Sequence, residues 1–189
     1  RYPKEVKYYG HDEERIISYD GSGELRLREY GGNNIRGLQG AGAWVASSVE
    51  LMRLVASIDG KPGVPDIISP ESVAEMKDIR RKGDYALGWA KYHPNIGSLV
   101  RTGTMSGTCA YIDYRESGVS YVFLTNTSHY RGASFTNSIG SMVRNAMTRV
   151  EDWPTDRDMF VEVPPTPQIE DDTTSVEGDL SLVNKFSTK

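Results

Sequence analysis

The feature that most constrains this chain is a series of short β-rich segments followed directly by one long amphipathic helix. Tyr85 to Tyr92, Ser98 to Arg101, Thr108 to Tyr114 and Val119 to Thr127 are rich in aromatic and β-branched residues and are separated by turn residues. Arg115-Glu116-Ser117-Gly118 joins the last two as a hairpin loop. Phe135, Ile139, Met142, Val143, Ala146, Met147 and Val150 then recur at helical spacing, one apolar stripe on a helix of about four turns. Such a stripe needs a surface to cover, and the hairpin sheet beside it is the nearest one. The expected fold class is α+β, an antiparallel sheet packed with helices.

Two further helices are expected before the sheet. Ser47-Ser48-Val49-Glu50 is a capping box, followed by Leu51, Met52, Leu54, Val55 and Ile58 at helical spacing, with Gly60 as the stop. Ser69-Pro70 starts the second, a cap residue with proline at the first helical position. It carries Val73, Met76 and Ile79 on one face and ends in the basic cluster Arg80-Arg81-Lys82. Residues 1–43 read as irregular, with short strands at Tyr8-Tyr9-Gly10 and Ile16 to Tyr19. The glycine-rich run Gly37 to Trp44 predicts a backbone that comes close to another part of the chain.

Charge divides the chain. Glu151 to Lys189 holds ten acidic and three basic residues, while the preceding 150 hold 16 acidic and 19 basic. A shift of this kind marks a boundary, and the apolar pattern fades after Trp153-Pro154; the chain is therefore divided into a folded region, 1–160, and an acidic, Pro/Thr-rich tail, 161–189, expected to be extended or flexible. The net charge of -4 argues against a nucleic-acid partner. Cys109 is the only cysteine, so the chain forms no internal disulfide and no cysteine-based zinc site, and a small buried strand residue is its expected role. No phosphate-binding glycine loop and no zinc spacing occurs, and no cofactor is implied. No run reaches the roughly 18 apolar residues of a membrane span.

The segment that carries chemistry is Arg101-Thr102-Gly103-Thr104-Met105-Ser106-Gly107-Thr108. Taken with Gly42-Ala43-Trp44-Val45-Ala46-Ser47, Tyr85-Ala86-Leu87-Gly88-Trp89 and the strand ending in Asn126-Thr127, it resembles the serine β-lactamase-like hydrolases, relatives of class C β-lactamases and penicillin-binding proteins. In that family a basic residue followed by Thr-Gly is the third active-site motif. The order of elements also matches, over roughly Gly37 to Phe160. The resemblance implies part of a β-lactamase-like α/β sandwich. It assigns Arg101 the cationic role toward a substrate carboxylate, Thr102 a substrate-contacting hydroxyl, Gly103 clearance, and Thr104 a backbone oxyanion donor. Such a donor is typically worth on the order of 3 kcal/mol of transition-state stabilisation.

Two departures matter. Arg101 stands where the family has Lys or His, and a guanidinium binds a carboxylate but cannot shuttle a proton. The nucleophile motif Ser-x-x-Lys and the Tyr-x-Asn motif are both absent; Ser98, Ser128 and Ser141 each have arginine three residues on. The activated serine needs such a base. The plainer readings are a solvated strand-end arginine at Arg101 and ordinary strand and turn residues at Thr102 to Thr104. Trp44 and Trp89 read as core or cleft-wall aromatics, and His11, His93 and His129 as turn, loop and surface residues.

The resulting expectation is the carboxy-terminal portion of a serine hydrolase domain, cleaving an amide or ester such as a β-lactam, a D-amino-acid peptide or a small ester. The nucleophile would lie upstream, and the isolated chain would be inactive. The alternative is a non-catalytic, degenerate hydrolase module for ligand or protein binding. A third possibility is an unrelated α+β domain. The expected partners are a small-molecule or peptide substrate and the upstream half or a partner chain. The family resemblance implies a bacterial envelope location.

Overall fold

The computed structural model describes residues 4–78 and 85–164. The chain opens with an antiparallel ribbon of β1 (Arg15–Ile17) and β2 (Leu25–Leu27). Asp20 accepts the Ser22 N–H in the turn between them, and Gly21 and Gly23 take positive φ. Two single-turn helices follow, α1 (Arg28–Gly31) and α2 (Ile35–Leu38). β2 and both helices lie in the stretch whose sequence reads as irregular. They are too short for periodicity to register.

Helix α3 (Ser48–Ala56) begins at the expected capping box: the Ser47 hydroxyl accepts the Glu50 N–H, and the Glu50 carboxylate accepts the Ser47 N–H. It ends four residues before Gly60, because Ser57 turns its hydroxyl onto the Leu54 carbonyl in the last turn. Helix α4 (Pro70–Lys77) is capped by Ser69 with Pro70 at its start, as expected. The expected continuation through Ile79 and Arg80-Arg81-Lys82 lies outside the described residues.

The second half forms a four-stranded antiparallel meander, β3 (Lys91–His93), β4 (Ser98–Met105), β5 (Thr108–Arg115) and β6 (Tyr121–Thr125), in sequence order. The first part of the expected Tyr85 strand is instead a tight turn. Ala86 and Trp89 bond each other's backbone, and Gly88 takes φ +77°. Helix α5 (Ala133–Met147) returns across the sheet, and α6 (Met159–Glu162) packs on α3. Arg53 donates to the Phe160 and Val163 carbonyls. Helix α6 thus runs across the boundary drawn at residue 160. The tail from residue 165 lies outside the described residues.

Strand alternation sorts the apolar residues onto two faces. On one, Leu99 and Tyr114 pack with Val55 of α3, Ala86 and Trp89. On the other, Val100, Tyr111 and Tyr121 pack with Val143 and Met147 of α5. Each buried aliphatic side chain contributes roughly 1.5–3 kcal/mol. Helix α5 approaches closely because residue 140 is glycine: a Cβ there would sit 2.3 Å from the Tyr111 ring. The Tyr121 hydroxyl donates to the Gly140 carbonyl at 2.7 Å. The fold is α+β, with helices on both faces of an antiparallel sheet.

Candidate functional site

Strand β4 is two structures in one. Ser98, Leu99 and Val100 are buried and lie between β3 and β5. From Arg101 onward only β5 pairs with the strand, because β3 is three residues long. Among the described residues no strand covers the outer side of Arg101 to Met105. In an antiparallel strand, the backbone groups of alternate residues face the same side. The Val100 carbonyl accepts the Ala90 N–H on the β3 side. Two and four residues later, Thr102 and Thr104 therefore aim their backbone groups at the open edge.

The four residues of the motif divide by face. Arg101 and Gly103 point to the α3 side, Thr102 and Thr104 to the α5 side. Arg101 is exposed and, among the described residues, has no ion-pair partner. The Thr104 hydroxyl is engaged at 2.7 Å with that of Thr136, a fully buried α5 residue. What Thr104 presents to the edge is its backbone. At Gly103, a Cβ would meet only the Ala110 Cβ at 3.6 Å, ordinary contact. The fold does not require glycine there. Gly107, at the β4–β5 turn, is the opposite case: φ is +79°, and a Cβ would lie 2.8 Å from that of Glu29. The expected close approach of the glycine-rich run is not found at Gly40 or Gly42: a Cβ at Gly40 would meet nothing within 4 Å, and one at Gly42 would lie 3.7 Å from the Met105 sulfur, ordinary contact.

Beneath the buried half of β4, Ser98 to Val100, lies a buried polar cluster. Asp113 is fully buried and accepts from Ser98 Oγ at 2.6 Å and from Arg144 Nη2 at 3.1 Å. Arg144 also reaches the Tyr111 hydroxyl. Nothing in the sequence links these residues, which come from β4, β5 and α5. The Thr104–Thr136 pair is equally silent, because its members are 32 residues apart.

The described tyrosines with resolved shifts are poor proton acceptors. Burial pushes the Tyr114 phenol up to about 12, with Asp59 reinforcing it, and raises Tyr121 further. Burial and Glu5 also push Tyr8 up to about 12. A tyrosine that deprotonates a serine needs the reverse shift. His129 accepts the Arg131 N–H through Nδ1 and is stacked on Phe135 at 5.0 Å, half-buried rather than on the surface. His93 lies in β3, not a loop. Cys109 is buried on β5 as expected. Trp89 is core, but Trp44 is 83% exposed. An open concavity of about 420 Å³ lies between the α3–α4 loop and α6, walled by residues such as Asp59, Lys61 and Phe160, away from the β4 motif. Among the described residues no cluster of His, Cys, Asp or Glu could hold a metal ion, and no helix is long and apolar enough to cross a membrane. No protein-family model, curated protein or solved structure matches the chain.

Proposed function

We propose that this chain supplies the oxyanion strand of a serine β-lactamase-like hydrolase, with the nucleophile and its base on a polypeptide segment encoded upstream. One observation carries the reading: the motif lies on the half of β4 that has an open backbone edge, and the glycine in it is one the fold does not need. A glycine without a packing or φ requirement, beside an N–H that has no partner among the described residues and an exposed arginine, leaves room for a ligand to approach.

In this reading the substrate acyl group lies along the β4 edge, with its carboxylate toward Arg101. The serine Oγ attacks the carbonyl carbon as its proton passes to the base. The Thr104 N–H, together with the serine's own, stabilises the negative oxygen that forms. Collapse expels the amine or alkoxide, which takes up the proton, and water then hydrolyses the acyl-serine. Arg101 is a fixed charge and takes no proton. The substrate is an amide or ester that bears a carboxylate, a β-lactam or D-amino-acid peptide being the type.

Labelling with a fluorophosphonate or penicillin probe tests this. The isolated chain should take no adduct, and the chain combined with its upstream segment should take one on a serine of that segment. In the combined protein, Arg101→Ala should lower kcat/KM for a carboxylate-bearing substrate on the order of tenfold to a hundredfold, the loss of one charge-assisted contact. Specific labelling of the isolated chain overturns the reading. Carboxylate binding without turnover in the combined protein favours the non-catalytic module.

A further inference from the structure

Two polar atoms in the core on the α3 side of the sheet stand apart from the rest. The Trp89 indole N–H and the Tyr114 hydroxyl are enclosed, on residues 6% and 4% exposed, and neither makes a hydrogen bond among the described residues. Other buried polar groups are paired: Asp113 with Ser98 and Arg144, Tyr121 with the Gly140 carbonyl, Thr136 with Thr104. Buried polar side chains pair as a rule with protein or with ordered water, and one left alone bears its full desolvation cost.

The two residues come from different segments, the Ala86–Trp89 turn and β5, and their rings lie tilted with centroids 6.4 Å apart. Both wall one cavity of about 10 Å³ between α3, α4 and the sheet. Asp59, from the α3–α4 loop, lines the same cavity. Its negative charge faces the Tyr114 phenol, outside hydrogen-bond geometry, while its Oδ1 accepts the Lys61 N–H at 2.8 Å. Lys77, also in the wall, is committed elsewhere: its ammonium meets the Glu116 carboxylate at 2.9 Å.

The chemistry of these three groups defines what fits between them. An indole N–H only donates, a phenol donates or accepts, and a carboxylate only accepts. The bridging species must accept from the indole and donate to the carboxylate, which a bare cation cannot do. The cavity is at the lower end of the room that one water molecule requires. An apolar cavity stays dry, but this one offers three polar partners, within the two to four that a buried water uses. We infer that one water molecule is built into this cavity as part of the fold, accepting from Trp89 Nε1, sharing a hydrogen bond with the Tyr114 hydroxyl and donating to the Asp59 carboxylate. It ties together the turn that leads into β3, strand β5 and the α3–α4 loop. The site stands independently of the activity proposed above.

Two measurements on this chain test it. In a high-resolution crystal structure, a water should lie within hydrogen-bond distance, about 2.7–3.2 Å, of Trp89 Nε1, the Tyr114 hydroxyl and an Asp59 carboxylate oxygen. In solution, the Trp89 indole proton should show a magnetisation-transfer cross-peak to a long-lived water. Tyr114→Phe keeps the ring and removes one partner of the water, and should shorten its residence on the order of tenfold. Asp59→Asn keeps an acceptor for both Lys61 and the water but loses the charge, and should shorten the residence by less. The measurements on the parent chain decide the question even where a variant folds poorly. A water that misses either Trp89 or Tyr114, a direct Tyr114–Asp59 hydrogen bond with no water between, or an unchanged residence in Tyr114→Phe overturns the inference.

Discussion

The two halves of β4 share a strand and a neighbour but not a fate. Ser98 to Val100 are buried, bonded on both sides, and held from below by the Asp113 cluster. Arg101 to Thr104 continue the same ladder with β5 and yet are exposed or half-exposed, with one edge open. The difference comes from β3 stopping after three residues. A strand fully used by its own fold has nothing left to offer a ligand. A strand half-used keeps its geometry from the bonded part and its chemistry in the free part. Substitutions should therefore separate into those that damage stability and those that damage function.

The largest effect belongs to the buried half. Asp113→Ala removes the acceptor for Ser98 and Arg144 at a fully buried position. Breaking a buried pair by removing one partner is strongly destabilising. Because Arg144 still reaches water, we expect a loss of about 3 kcal/mol, read as a fall in the urea midpoint. A loss below about 1 kcal/mol would mean that the cluster does not anchor the strand. Gly140→Ala comes next. The added methyl meets the Tyr111 ring and must lift α5, at a cost of about 1–3 kcal/mol. Thermal melting checks it, and an unchanged melting temperature would show α5 seated less closely.

These residues also mark where sequence reading stops. The helix stripe, the capping box at Ser47, Pro70 at the start of α4 and three of the four sheet strands are local patterns, visible as alternation or cap chemistry. The division of the stripe is not local. Val143 and Met147 face the sheet while Met142 and Ala146 do not, because Gly140 and Tyr111 set the position of α5. The motif Arg101 to Thr104 was legible as residue types, but the strand read from the pattern stopped at Arg101, whereas β4 runs on to Met105. Its open edge was not, since that depends on how early β3 ends, and Gly88 breaks the apparent Tyr85 strand in two.

Thr104 sits between the two regimes. Its hydroxyl serves the fold through Thr136, and its backbone faces the edge. Thr104→Val should leave the buried Thr136 hydroxyl short of a partner and lose roughly 1–2 kcal/mol. Because the backbone donor is retained, kcat/KM of the combined protein should change by less than about threefold, under 0.7 kcal/mol of transition-state stabilisation. A large kinetic loss with unchanged stability would move the hydroxyl into the site.

The smallest structural effect is expected at Gly103, and it is the sharpest test of the comparison. A methyl there meets only Ala110, at ordinary contact distance. No left-handed backbone demands glycine at this position. Alanine restricts the unfolded chain more than glycine does, so Gly103→Ala should leave stability unchanged or raise it by up to about 0.5 kcal/mol. The same methyl projects from the α3 side of the open strand, beside the groups assigned to substrate. In the combined protein it should lower kcat/KM on the order of tenfold, because a contact displaced by a fraction of an ångström is enough. Denaturant midpoints and steady-state kinetics on one preparation give both readings. A loss of stability above about 1 kcal/mol would place Gly103 with Gly140, as a glycine the fold requires. Unchanged kinetics would remove the clearance role and leave the open edge of β4 without its ligand.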